Sequence, residues 1–251
     1  MDLELKGRRA VVTGGGRGIG QAIAIALADA GVDVAFNYLR NRRAAGATLS
    51  ELRSRGVEAF AIKANMADPP ALTAMFDEVR ERFGTIDLLV ANAASGVERS
   101  AMDLTRRHFQ WTMDINAWGL LHSTQLAAPL MPRGGSIVAI SSIGATRAMP
   151  YYTAVGASKA AIESLCRHLA VELGPQGIRV NALQPGVVLT DVLQHFPNRD
   201  ELIEGAMTRT PLGRMVTPLD VAQTVLFLAS DLSAMVTGST LVVDGGYQTQ
   251  G

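Results

Sequence analysis

Seven short segments dense in β-branched and apolar residues recur along the chain, separated by 17–54 residues of helical character. They are "RRAVVTG" (8–14), "VDVAFNY" (32–38), "VEAFAIK" (57–63), "IDLLVAN" (86–92), "GSIVAIS" (135–141), "IRVNALQ" (178–184) and "STLVVDG" (239–245). Strands apolar on both faces must be covered on both faces, so the alternation specifies a parallel sheet between two helical layers. Between the first two, the apolar positions of "IGQAIAIALADAG" (19–31) repeat at helical spacing and stop at Gly31. Two later helix starts are also legible. Asp68 before Pro69, and Thr217 before Pro218 with Asp220 three positions on, set a capping oxygen ahead of a proline suited to the first turn. No low-complexity linker or fixed-period repeat interrupts the 251 residues, and 48% apolar content fills one core, so one domain over 1–251 is expected.

Charge and rare residues narrow the function. The 23 basic and 23 acidic residues cancel, and no dense basic stripe is present to neutralise a run of phosphates, which argues against nucleic acid as a partner. Cys166 is alone, so there is neither an internal disulfide nor a cysteine metal site, and His108, His122, His168 and His195 lack paired ligand spacing. "MDLELKGRRA" has no apolar signal core and no apolar run approaches the ~18 residues of a membrane span, so a soluble cytoplasmic protein without membrane contact is expected.

"TGGGRGIG" (13–20) lies between the first strand and the first helix, the context that a phosphate-binding glycine loop requires. Gly14, Gly18 and Gly20 provide a tight turn, close backbone approach and helix-to-strand contact, and the N-terminus of the following helix, from Ile19, faces the anion. This points to a Rossmann-type dinucleotide site. At the end of the second strand an NAD site places a carboxylate for the ribose 2′-hydroxyl; here the sequence runs Asn37, Tyr38, Leu39, Arg40. Arg17 and Arg40 instead suit a 2′-phosphate, which makes NADPH the expected cofactor, the plainer reading being that Arg40, Arg42 and Arg43 only begin a solvated helix.

Together with this loop, "ANAAS" (91–95), "MDINAWG" (113–119), "AISS" (139–142), "ASKAA" (157–161), "VNALQPG" (180–186) and "VVDGG" (242–246) resemble the short-chain dehydrogenase/reductase superfamily over nearly the whole chain. The resemblance implies a nicotinamide-dependent oxidoreductase, a homotetramer, and a Ser, Tyr, Lys constellation. Ordinary members carry tyrosine four residues before lysine; ahead of Lys159 that position is Val155. Tyr152 stands seven residues before Lys159, which on a continuous helix is ~700°, about 20° short of two turns, so the two share a face. Tyr151, about 100° further round, is the weaker candidate.

Seven residues rise ~10 Å along a helix against ~6 Å for four, so the phenol cannot meet the same substrate atom. A ketone reductase places its acid on the oxygen of the carbon that takes hydride, whereas an enoyl thioester takes hydride at C3 and develops charge on the oxygen at C1. The displaced tyrosine fits the second task. Tyr-x6-Lys spacing marks the enoyl-acyl carrier protein reductases, and "KANMADP" (63–69), "NAASGV" (92–97), "YTAVGASKAAIESLCRHLAVEL" (152–173) and "HFPNRDELIEGAMTRTPLGRMV" (195–216) are similar to the NADPH-dependent FabL type; "QPG" (184–186) departs from it.

The implied roles follow from that resemblance. Tyr152 binds the developing oxyanion, Lys159 the nicotinamide ribose, Ser142 the substrate, and Asn116 organises water and helix backbone near Lys159. Asn65, Met66 and Asn92 line the cofactor, and Thr190 reaches its carboxamide. An acyl thioester, on acyl carrier protein, is the expected partner. The connection 191–215 is expected to order over the acyl chain. A β-ketoacyl or carbonyl reductase, and a catalytically silent NADPH-binding protein, are the alternatives.

Overall fold

The computed structural model describes residues 3–190, 193 and 198–249. Its strands are β1 (Arg9–Val12), β2 (Asp33–Tyr38), β3 (Ala59–Lys63), β4 (Leu88–Ala91), β5 (Gly135–Ile140), β6 (Ile178–Pro185) and β7 (Thr240–Val243). All seven pair in parallel in one sheet of order β3-β2-β1-β4-β5-β6-β7. Six lie inside their predicted segments, and β6 runs one residue past its own, to Pro185. The order reverses between β1 and β4, and such a switch point opens a crevice at the carboxyl ends of the strands.

Alternation along the strands divides the core in two. Ala10, Val12, Val34, Phe36, Leu88, Val90, Val138 and Ile140 face one way, against helices α1 (Gly18–Asp29), α2 (Arg42–Arg53) and α8 (Pro218–Ala229). Val11, Ala35, Leu89, Ile137 and Ala139 face the other, against α3 (Pro69–Phe83), α5 (Gly119–Ala127) and α6 (Thr153–Leu173). A period of two placing every side chain on one of two covered faces is the reason the strands read as apolar runs.

Both predicted caps form. The Asp68 side chain accepts from Ala71 N at the start of α3, and Thr217 and Asp220 make a reciprocal capping box on α8. Between α4 (Arg106–Met113) and α5 the helix opens into a π turn over Asp114–Trp118, a feature that often accompanies functional sites. Within the connection expected to cover the substrate, Arg199–Arg209 form helix α7, so that segment is partly helical; 191–192 and 194–197, including His195, lie outside the described residues. Among the described residues no helix is long and apolar enough to cross a membrane, and no cluster of side chains is arranged to hold a metal ion.

Candidate active site

A cavity of about 700 Å³ opens along the carboxyl edge of the sheet, from the β1–α1 loop to the start of α6. It gathers residues scattered over the whole sequence: Arg17, Arg40, Asn65, Asn92, Ser142, Tyr152, Lys159 and Thr190 all line it. So do Gly14, Gly18, Ile19, Gly20, Tyr38 and Met66.

One end of the cavity is a glycine turn held from below. Gly14 N donates to Asn37 Oδ1 at 2.8 Å, and Asn92 Nδ2 donates to Thr13 O at 2.9 Å. A Cβ at Gly20 would strike Gly14 O and Asn92 Nδ2, while a Cβ at Gly18, where φ is +57°, would meet only Thr190 Cγ2 at 3.9 Å. The first contact enforces close packing of loop and helix, and the second leaves backbone open to the cavity. No side chain caps α1, whose N-cap is Arg17, so the partial positive charge of its first turn faces the cavity. This cradle fits a pyrophosphate. Beside it, Arg40 lies two residues beyond the end of β2 and Asn41 caps α2 by accepting from Ala44 N, so Arg42 and Arg43 belong to the first turn of that helix whereas Arg17 and Arg40 line the cavity.

The other end is built on α6. That helix begins at Thr153, so Tyr152 is its N-cap, with φ −111° and ψ 10°, rather than a residue two regular turns ahead of Lys159. The physical reason is Tyr151 just before it, whose φ of +62° breaks the helical path. Tyr152 nonetheless lines the same cavity as Lys159: its ring lies across Gly144, where a Cβ would collide with it, and its hydroxyl donates to Ser142 Oγ at 3.3 Å. Tyr151 is 42% exposed and does not line the cavity. Burial raises the Tyr152 pKa above the ordinary phenol value, the Ser142 hydrogen bond opposes this, and the Glu98 charge adds to it. The hydroxyl therefore keeps its proton.

Lys159 is 4% exposed, and its Nζ donates to Ile140 O at 2.7 Å. Burial lowers its pKa to about 8. Asn116 is the one predicted residue that does not line the cavity. Its amide bonds reciprocally with Ser95 backbone, at 2.9 Å both ways, and donates to Ser158 Oγ at 2.8 Å, clamping the β4 exit loop to α6. The π turn swings its side chain inward to do so.

Sequence reasoning missed several residues here. Gly96 packs so tightly on Val155 that a Cβ would overlap Val155 Cγ2, and the two line the cavity side by side. Glu98, Trp111, Ile115, Met149 and Leu202 line the cavity from loops and helices remote in sequence. Only the Val155 substitution itself signalled that this wall had been rebuilt.

A family model described as Enoyl-(Acyl carrier protein) reductase matches residues 14–248. The chain belongs to this family of short-chain dehydrogenase/reductases. Among relatives of this short-chain dehydrogenase/reductase is 1-cyclohexenylcarbonyl-CoA reductase of Streptomyces collinus, 40% identical over 94% of this chain and 85% of that protein. The 3-oxoacyl-[acyl-carrier-protein] reductase FabG of Staphylococcus aureus (strain Mu50 / ATCC 700699) is 39% identical over 95% of this chain and 97% of its own. A short chain dehydrogenase from Burkholderia cenocepacia J2315, solved in complex with NADP, superimposes with a TM-score of 0.91 at 37% identity, covering 97% of this chain and 99% of that one.

Proposed function

We propose that this oxidoreductase uses NADPH to reduce the C2–C3 double bond of a trans-2-enoyl thioester. The observation that carries the reading is the pairing of Val155, an inert side chain in the cavity wall beside Gly96, with a protonated Tyr152 hydroxyl inside the same cavity as Lys159. The reduced nicotinamide, when bound, supplies hydride. Tyr152 transfers its hydrogen bond from Ser142 to the thioester oxygen as negative charge gathers there, its burial keeping the phenol in the protonated, donating form. Lys159, charged below about pH 8, holds the ribose and lowers the electrostatic cost of that charge, with Ser142 as a second polar contact. Hydride at C3 and a proton at C2 complete the reduction. Trp111, Ile115, Met149, Leu193 and Leu202 supply an apolar wall for an acyl chain. The relative from Streptomyces collinus supports this reading, since its named substrate carries a double bond beside a thioester carbonyl.

The main alternative, a 3-oxoacyl reductase, is favoured by the number of relatives so named, the Staphylococcus aureus proteins among them. In that reading Tyr152 protonates the C3 oxygen directly. Oxidation of NADPH followed with crotonyl and acetoacetyl thioesters, on acyl carrier protein and on coenzyme A, separates the two. Faster turnover of crotonyl thioester is expected; turnover of acetoacetyl thioester alone overturns the proposal. A homotetramer is proposed from the family resemblance, and sedimentation velocity giving the mass of four chains is the expected result.

A further inference from the structure

Glu163 is a buried carboxyl, 7% exposed, that does not line the cavity. Its Oε1 accepts from Ser141 Oγ at 2.6 Å and from Gln184 Nε2 at 3.0 Å; Gln184, on β6, also reaches Thr146 Oγ1 at 3.4 Å in the loop after β5. Among the described residues no cation forms an ion pair with it, and the nearest lysine on its helix, Lys159 one turn earlier, sends its ammonium to Ile140 O instead. A carboxyl sunk among neutral donors is expensive for a helix face that leucine would pack.

What it gains is visible along three consecutive residues. Ile140 offers its carbonyl to Lys159, Ser141 its hydroxyl to Glu163, and Ser142 its hydroxyl oxygen to Tyr152. The end of β5 is thus tied to α6 and its N-cap at three successive positions, and in the middle tie Ser141 lines the cavity while the Glu163 carboxyl that holds it does not. Resting on the function proposed above, we propose that Glu163 is a positioning residue: by holding Ser141 it fixes the β5 end at which Lys159 and Tyr152 are oriented. Hydrogen-bond acceptance by Oε1, not charge, is the working property, because both donors are neutral. Gln184 completes the device from β6, which gives the departure from the FabL pattern at 184–186 a structural purpose.

The test uses full-length Glu163→Ala, Glu163→Gln and Ser141→Ala variants. With the thioester that the unaltered protein reduces, Glu163→Ala is expected to lower kcat about tenfold or more while KM stays within about twofold, since small misplacement of reacting groups is costly. Glu163→Gln, which keeps an acceptor oxygen, restores kcat to within about threefold. A second readout needs neither substrate nor cofactor. The chain has three lysines, Lys6, Lys63 and Lys159, so the Lys159 side chain is readily assigned by NMR, and its titration midpoint is expected to move from about 8 in Glu163→Ala and Ser141→Ala but not in Glu163→Gln. A Glu163→Ala protein that melts as the unaltered one does, with kcat within about twofold and an unmoved Lys159 midpoint, overturns the proposal; so does Glu163→Gln falling as far as Glu163→Ala. If Glu163→Ala does not fold, an unmoved Lys159 in Ser141→Ala overturns it. Should the unaltered protein reduce only 3-oxoacyl thioesters, the proposed function fails while the Lys159 titration still judges Glu163.

Discussion

Lys159 shows how a single buried group ties the stability of the fold to pH. Its pKa of about 8 in the folded chain lies below the 10.5 of a free lysine, and burial is the cause. Below about pH 8 both folded and unfolded chains carry the proton, and the fold bears the whole cost of a buried ammonium. Above 10.5 both are neutral and the cost is gone. Stability from this residue therefore rises with pH between about 8 and 10.5, by about 3 kcal/mol in all. Denaturant unfolding of the ligand-free protein across that window is expected to show the rise, and Lys159→Met to abolish it; equal pH slopes in both proteins contradict the assignment. Tyr152 carries the opposite lesson, because burial there favours the neutral form that the proposed chemistry uses.

At the scale of elements, α8 is the best-defined case. Thr217 accepts from Asp220 N at 3.3 Å, Asp220 Oδ2 accepts from Thr217 N at 2.8 Å, and Arg214 grips the same carboxylate through both its oxygens. That charge-assisted pair holds the Asp220 carboxyl well below its ordinary range, although the exposed Arg214 limits its worth. Thr217→Ala is expected to cost about 1 kcal/mol, read as a lower melting temperature at unchanged activity. This cap was legible in sequence because it depends on residues three positions apart. The start of α6 was less so: the seven-residue spacing of Tyr152 and Lys159 was read on an unbroken helix, but the left-handed Tyr151 ends that helix at Thr153. The hydroxyl reaches the cavity by crossing Gly144 instead, a contact between a loop and a cap that no helical period encodes.

For the whole molecule, strand alternation was enough to specify all seven strands and both covered faces, since each strand's pattern is local. The cavity was only half legible. Motif positions such as Gly14, Asn92 and Lys159 stand at strand and helix ends and could be placed by order alone. Gly96, Glu98, Trp111 and Gln184 act through partners 21 or more residues away, or by lining a shared wall, and their neighbours emerge only when the sheet closes. Because the cavity spans the sheet edge from β2 to β6, a ligand filling it braces the whole fold. Saturating NADPH at about 100 times its dissociation constant is expected to add about 2.7 kcal/mol, and NADH at the same concentration less. Thermal melts with each cofactor measure this, and greater protection by NADH contradicts the roles given to Arg17 and Arg40.

The central claim is that Tyr152, not a residue at 155, stabilises the oxyanion of an enoyl thioester. Steady-state turnover of crotonyl thioester by Tyr152→Phe tests it most directly. In this variant kcat is expected to fall by ~10²–10³ with NADPH binding preserved, as loss of one oxyanion donor does; turnover within about twofold of the unaltered protein rules out that role for Tyr152.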